Sequence, residues 1–151
     1  MTSAERQKHI GKIKSKDTKP ECLARKLCRS LGYTGYRLHR RDIAGCPDIC
    51  FVSKRKAIFV NGCFWHGHIC KNGLRRPKSN RSYWQNKIAA NQERDMRIVD
   101  TLSDNGWKVL VIWECQLKEL DKVIERLRCF FSSESPNNQM QKTGAEGDVN
   151  P

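Results

Sequence analysis

Along the chain, apolar and polar positions change their period at recognisable points. The first sixteen residues, MTSAERQKHIGKIKSK, are polar and basic, with Ile10 and Ile13 as isolated apolar points. They read as an arm. In DTKPECLARKLCRSLG, residues Cys22, Leu23, Leu27 and Leu31 fall on one helical stripe, Thr18 and Glu21 have capping-box spacing, and Gly32 is a stop signal. A first helix is predicted there. Two β-rich runs, DICFV and AIFV, joined by the charged segment SKRK, predict a hairpin. Both are apolar at nearly every position, as in strands covered on two faces. SYWQNKIAANQERDMRIVDTLSDNG, with Ile88, Met96, Ile98 and Leu102 as its apolar points and Gly106 at its end, predicts a long helix. WKVLVIW predicts a buried strand and LKELDKVIERLRCFF a closing helix. From residue 132 the chain turns to Ser, Asn, Gln and Gly, a composition expected to be disordered. The order helix, hairpin, helix, strand, helix predicts an α/β three-layer sandwich with a mixed central sheet. The expected division is an arm at 1–16, one domain at 17–131 and a tail at 132–151.

Charge narrows the partners. The 151 residues carry 29 basic against 16 acidic side chains, a net +13. The tail itself is net acidic, so the excess lies on the body. A small basic body favours polyanions, nucleic acid before membrane surface. No apolar run reaches the ~20 residues that span a bilayer, and no signal-peptide core follows Met1, so a reducing cytosol is expected. In that setting clustered cysteines read as metal ligands and not disulfides. Cys22, Cys28, Cys46, Cys50 and Cys129 lack such clustering and are expected as small buried hydrophobes.

The cluster is VNGCFWHGHIC. Cys63, His68 and Cys70 leave one position open in a tetrahedral site, and Cys115, at the end of the next predicted strand, is the obvious fourth ligand. A Cys3His zinc site of this kind is closed, hence structural. His66 is then left over but held in place, a candidate general base. Asp48 opens the first hairpin strand, and the partner strand ends at Val60. One carboxylate and one backbone carbonyl can hold a hard cation such as magnesium for phosphodiester hydrolysis. A strand-edge cap or a salt bridge explains Asp48 equally well on these grounds.

Five segments together decide further: KDTKPE, YRLHRRDIAGCPDI, VNGCFWHGHIC, RRPKSN…YWQNKIAANQERD and GWKVLVIWEC. In order and spacing, from about Arg6 to about Cys115, the chain resembles the very-short-patch-repair (Vsr) DNA mismatch endonucleases. The resemblance implies a restriction-endonuclease-like fold and strand-specific nicking 5′ to the thymine of a T·G mismatch, the lesion left by deamination of 5-methylcytosine. It implies magnesium held by Asp48 and the carbonyl of Val60, His66 as general base, and Glu21 orienting a metal-bound water. Cys63, His68, Cys70 and Cys115 match all four of the family's zinc ligands. Asn61 stands where the best-known pattern has a second active-site histidine. It can donate a hydrogen bond but carries no positive charge, which predicts slower chemistry or altered metal use.

Phe64, Trp65 and Trp84 match aromatics that the family inserts beside the mismatch. On the residues themselves, Trp84 reads more readily as core packing, whereas a metal loop offers Trp65 little core to fill. An N-terminal helix wrapped round the other groove would bring Ile10 and Ile13 to the DNA. Arg40, Arg41, Arg75, Arg76, Lys78 and Arg81 would contact phosphates, which positions the enzyme without reading sequence. The expected partner is double-stranded DNA with a T·G mismatch, with a MutL-type repair protein and a cytosine-5 DNA methyltransferase as companions. A cytoplasmic, nucleoid-associated monomer is expected. Two other readings remain: a restriction-like or defence nuclease of the same fold with another DNA target, and a non-enzymatic zinc-stabilised DNA-binding protein.

Overall fold

A computed structural model describes residues 16–132; the arm carrying Ile10 and Ile13, and the tail beyond Ser132, lie outside the described residues. Helix α1 (Lys19–Ser30) starts as its sequence predicts, with Pro20 in the first turn and the Thr18 hydroxyl accepting the N–H of Glu21 at 3.4 Å. The second half of the capping box is displaced by one residue. Glu21 accepts the N–H of Asp17, at 2.9 Å, and not that of Thr18. The buried stripe is also rotated from the expected one, running through Glu21, Ala24, Leu27 and Cys28, while Cys22 is exposed. A buried carboxylate thus sits on the face that packs against the sheet.

The four strands β1 (Arg37–Leu38), β2 (Ile49–Phe51), β3 (Lys56–Asn61) and β4 (Lys108–Trp113) lie in that order. β1, β2 and β3 are antiparallel neighbours and β3 with β4 is parallel, so the sheet is mixed. The hairpin of β2 and β3 turns through a short 3-10 segment, Val52–Lys54, and a left-handed Arg55 at φ 51°. The parallel pair needs a crossover, which the loop after β3 and helix α2 (Arg81–Asp104) supply. Helix α3 (Leu120–Ser132) is the last described element.

One face of the sheet, carrying Ile49, Phe51, Ile58, Leu110 and Ile112, packs on α1 and α3 through Ala24, Leu27, Val123, Leu127 and Phe130. Lys56, although buried, is satisfied by donating to the carbonyls of Phe130 and Phe131 at 2.8 and 3.0 Å, which caps α3. Helix α2 covers the opposite face. There Gly45, at φ 77°, packs so closely that a Cβ would come within 2.4 Å of Ile98 and 3.2 Å of Phe59.

Three expectations are corrected. β4 is the outer strand of the described sheet, and of its residues Leu110 and Ile112 are buried while the rest are half-buried. Met96 is 67% exposed. The inward stripe of α2 runs instead through Trp84, Ile88, Asn91, Asp95, Ile98, Val99 and Leu102. Cys28 and Cys50 are buried as expected, but Cys22, Cys46 and Cys129 are exposed. Among the described residues no helix is long and apolar enough to cross a membrane.

Candidate active site and metal centre

The segment between β3 and α2 has little apolar content and is organised by polar contacts. Cys63 lies two residues past the end of β3, and Cys115 lies in the 3-10 segment Glu114–Lys118 that follows β4. Because β3 and β4 run parallel, the residues after both strands emerge at the same end of the sheet. His68 and Cys70 complete the group: one sulfur or nitrogen from each of the four residues lies within 4.8 Å of every other. Cys115 Sγ is 3.5 Å from His68 Nδ1, and the Cys115 N–H donates to Cys63 Sγ at 3.4 Å. Three sulfurs and one imidazole, so disposed, can hold a metal such as zinc. Burial pushes the Cys63 thiol up to about 12, whereas the Gly73 N–H on Cys70 Sγ pulls that thiol down to about 7. A cation would bring both to thiolate. Trp113 stacks on the His68 ring at 4.3 Å and fixes its plane.

Beside this group is a cleft of about 390 Å³ lined by Glu21, Asp48, Val60, Asn61, His66, Arg94 and Asp95 among others. The antiparallel register of β2 and β3 sets Asp48 near Val60, whose N–H donates to Asp48 Oδ2 at 2.7 Å. The N–H and C=O of one strand residue point to the same edge, so the Val60 carbonyl lies on the β2 side of β3. Burial raises the Asp48 carboxyl to about 6, with the Val60 hydrogen bond opposing and the negative charge of Glu21 adding to it. His66 enters from the opposite rim. Its Nδ1 lies 2.5 Å from Asp95 Oδ2 on α2. A carboxylate only accepts, so the contact calls for a proton on Nδ1 and turns Nε2 away from Asp95.

Helix α2 clamps the same loop at two further points. Asn91 donates to the carbonyl of Trp65 at 2.9 Å and Gln92 to that of Gly67 at 3.2 Å. Phe64, Trp65 and Trp84 pack on one another with centroids 5.4–5.5 Å apart, all half-buried. Trp84 therefore belongs to this loop cluster and not to the central core. Of the expected phosphate contacts, Arg41, Arg75, Lys78 and Arg81 are exposed. Arg40 is held bidentately by Asp42 at 2.6 and 2.7 Å, and Arg76 caps the carbonyls of Gly73 and Arg75.

Three residues of this region were not anticipated. Asp95 and Arg94 lie on α2, and His39 follows β1, where it approaches Asp48 and Glu21. A signal for Asp95 existed: it interrupts the apolar stripe of a long helix at the spacing of Ile88, Asn91 and Ile98. His39 had none, because a two-residue strand is too short to show a period.

The family model described as DNA mismatch endonuclease Vsr matches residues 1–72. The chain is 47% identical over 127 residues to the Type II nicking enzyme V.XorIIP of Xanthomonas oryzae, covering 83% of this chain and 92% of that protein. It is 42% identical over 129 residues to the Type II nicking enzyme V.NmeAIP of Neisseria meningitidis, covering 84% and 89%. With the DNA mismatch endonuclease Vsr of Escherichia coli it shares 33% identity over 146 residues, covering 93% and 92%. The chain therefore belongs to the Vsr family of DNA endonucleases, hydrolases that cut the phosphodiester backbone.

Proposed function

We propose that this protein nicks one strand of duplex DNA 5′ to the thymine of a T·G mismatch, beginning very short patch repair. The observation that carries the reading is the convergence of Asp48 and His66 on one cleft, beside a loop that a Cys3His metal centre can hold rigid. The arrangement of sheet and helices suits the restriction-endonuclease-like layering that the family implies.

The donor set fits two cations of different character. Sulfur and imidazole at Cys63, His68, Cys70 and Cys115 suit zinc in a structural role. The Asp48 carboxylate and the Val60 carbonyl offer hard oxygens, and magnesium held there would neutralise charge developing on the phosphate and acidify water. Around that point, Glu21 orients the attacking water and His66 accepts its proton at Nε2. Asp95 holds the imidazole in the required tautomer and stabilises it once charged. Arg94 supplies positive charge toward the phosphate from the far wall of the cleft. Asn61, at its edge, donates a hydrogen bond but no charge. Asn61→His should therefore raise the nicking rate at fixed magnesium, and an unchanged rate would remove position 61 from the mechanism.

Flat side chains inserted beside a mismatch unstack it for a few kcal/mol, less than in a matched duplex. Phe64, Trp65 and Trp84 form the wedge in this reading, and Arg41, Arg75, Lys78 and Arg81 contact the backbone. The deciding experiment compares nicking of T·G and T·A in otherwise identical duplexes. A strong preference for T·G, with the cut 5′ to T, supports the proposal. Equal cutting of both sinks it and favours a nicking enzyme for another DNA target. The proposed assembly is one monomer per nick, in the cytoplasm. A cytosine-5 methyltransferase would be the source of the lesion, and stimulation of nicking by a MutL-type protein is open to direct assay.

A further inference from the structure

The pairing of β1 with β2 sets Leu38 opposite Ile49. One step on, His39 stands across from Asp48 with its backbone in the left-handed region, φ 49°. A side chain held in that region marks a local constraint that the surroundings must sustain. The contacts of the ring are polar at both nitrogens. Nδ1 lies 3.8 Å from Asp48 Oδ1, and Nε2 lies 3.4 Å from Glu21 Oε2. Arg25, from α1, reaches the same point: its Nη2 is 3.2 Å from His39 Nε2, 3.3 Å from Glu21 Oε2 and 2.8 Å from Asp17 Oδ1.

Asp17, Glu21 and His39 have the residue types of a cation site. The Arg25 guanidinium already lies where their donor atoms meet, so a second metal centre is not the reading. A guanidinium has donors and no acceptor. Its contact with His39 is met by a lone pair at Nε2, although Glu21 Oε2 at 3.4 Å and Asp17 Oδ1 at 4.0 Å also face that nitrogen, and the ring proton then sits on Nδ1, toward Asp48. We propose that Arg25 and His39 form a positioning pair for the Asp48 carboxylate, Arg25 selecting the tautomer and His39 aiming its Nδ1–H at Oδ1. The contact at 3.8 Å is electrostatic and not a hydrogen bond. Since Val60 holds Oδ2, the pair draws on the second oxygen and so biases the plane in which the carboxylate is offered to a cation. The inference rests on the reading of Asp48 as a ligand for a divalent ion.

Calorimetric titration of Mn²⁺ into the DNA-free protein tests it, with thermal unfolding followed on the same samples. An asparagine amide N–H falls near Nδ1, a glutamine amide near Nε2. His39→Ala and His39→Gln should weaken Mn²⁺ binding about tenfold or more, whereas His39→Asn restores most of it. Asparagine also tolerates the left-handed backbone, so the affinities and not the unfolding midpoints decide. Equal affinity of all three variants with the parent protein overturns the proposal. If Asp48→Ala binds Mn²⁺ as the parent does, the reading beneath it fails instead. Nitrogen-15 shifts of the His39 ring give a metal-free check that needs no stable variant. The expected signature is an Nδ1–H tautomer, and an Nε2–H tautomer rules out the role given to Arg25.

Discussion

Asp48 owes its character to burial, His66 to one neighbour. For Asp48 burial dominates, raising the carboxyl from 3.8 to about 6 despite the Val60 hydrogen bond. A carboxyl raised in this way contributes its stability fully below the ordinary value, and loses it as pH rises through about 6. At neutral pH without divalent ions the ionised group is therefore a liability. Asp48→Asn keeps an acceptor for the Val60 N–H and should stabilise the metal-free protein at pH 7–8 by roughly 2–3 kcal/mol, with no gain near pH 4. Thermal unfolding across that range checks it, and a midpoint lowered at neutral pH would contradict it. The same raised value predicts that Mg²⁺ affinity increases as pH passes through about 6. For His66 the decisive neighbour is Asp95. Asp95→Asn should leave DNA affinity unchanged and lower the single-turnover nicking rate by about 10²–10⁴. A loss in affinity with no loss in rate would assign Asp95 to folding.

At the scale of elements, the loop after β3 is held by its polar groups. Its carbonyls at Trp65 and Gly67 are tied to α2, and the Cys3His group ties it to the segment after β4. A chelator strong enough to strip zinc, or Cys115→Ser, should lower the unfolding midpoint by roughly 10 °C or more. Nicking should disappear with it even in excess magnesium, since His66, Phe64 and Trp65 lie on the released segment. Survival of full activity after measured zinc loss would show that α2 alone suffices. The elements themselves were legible to different degrees. α1, α2, the β2–β3 hairpin and α3 follow from period and punctuation. β1 does not, and the register of the stripe on α1 was misread because Glu21 is buried while Cys22 is exposed.

For the whole molecule, net charge governs the encounter with DNA. With 29 basic residues in 151, binding should fall steeply with salt. Neutralising about six phosphates gives a log–log slope of roughly −5. Fluorescence anisotropy with a labelled duplex measures this slope, and a nearly flat response would mean that the basic residues are solvated and do not touch the backbone. Replacing Arg75 and Lys78 together should flatten the slope by about 2, with equal losses on T·G and matched DNA, because phosphate contacts carry no base information.

The sequence by itself determined which donor types are available to a metal. Cys63, His68 and Cys70 crowd into one short stretch and Cys115 ends the next strand, so composition and spacing single out a group able to hold a metal; for Asp48 the same grounds leave a strand-edge cap or a salt bridge equally open. It also determined the mixed α/β plan, because each long element carries its own period. Which side chains share a cleft was decided by tertiary structure. Asp95 meets His66 across 29 positions, and His39 meets Asp48 only because a two-residue strand pairs in one register. Such meetings depend on strand order and on the direction of a crossover, which no stretch of residues encodes within itself.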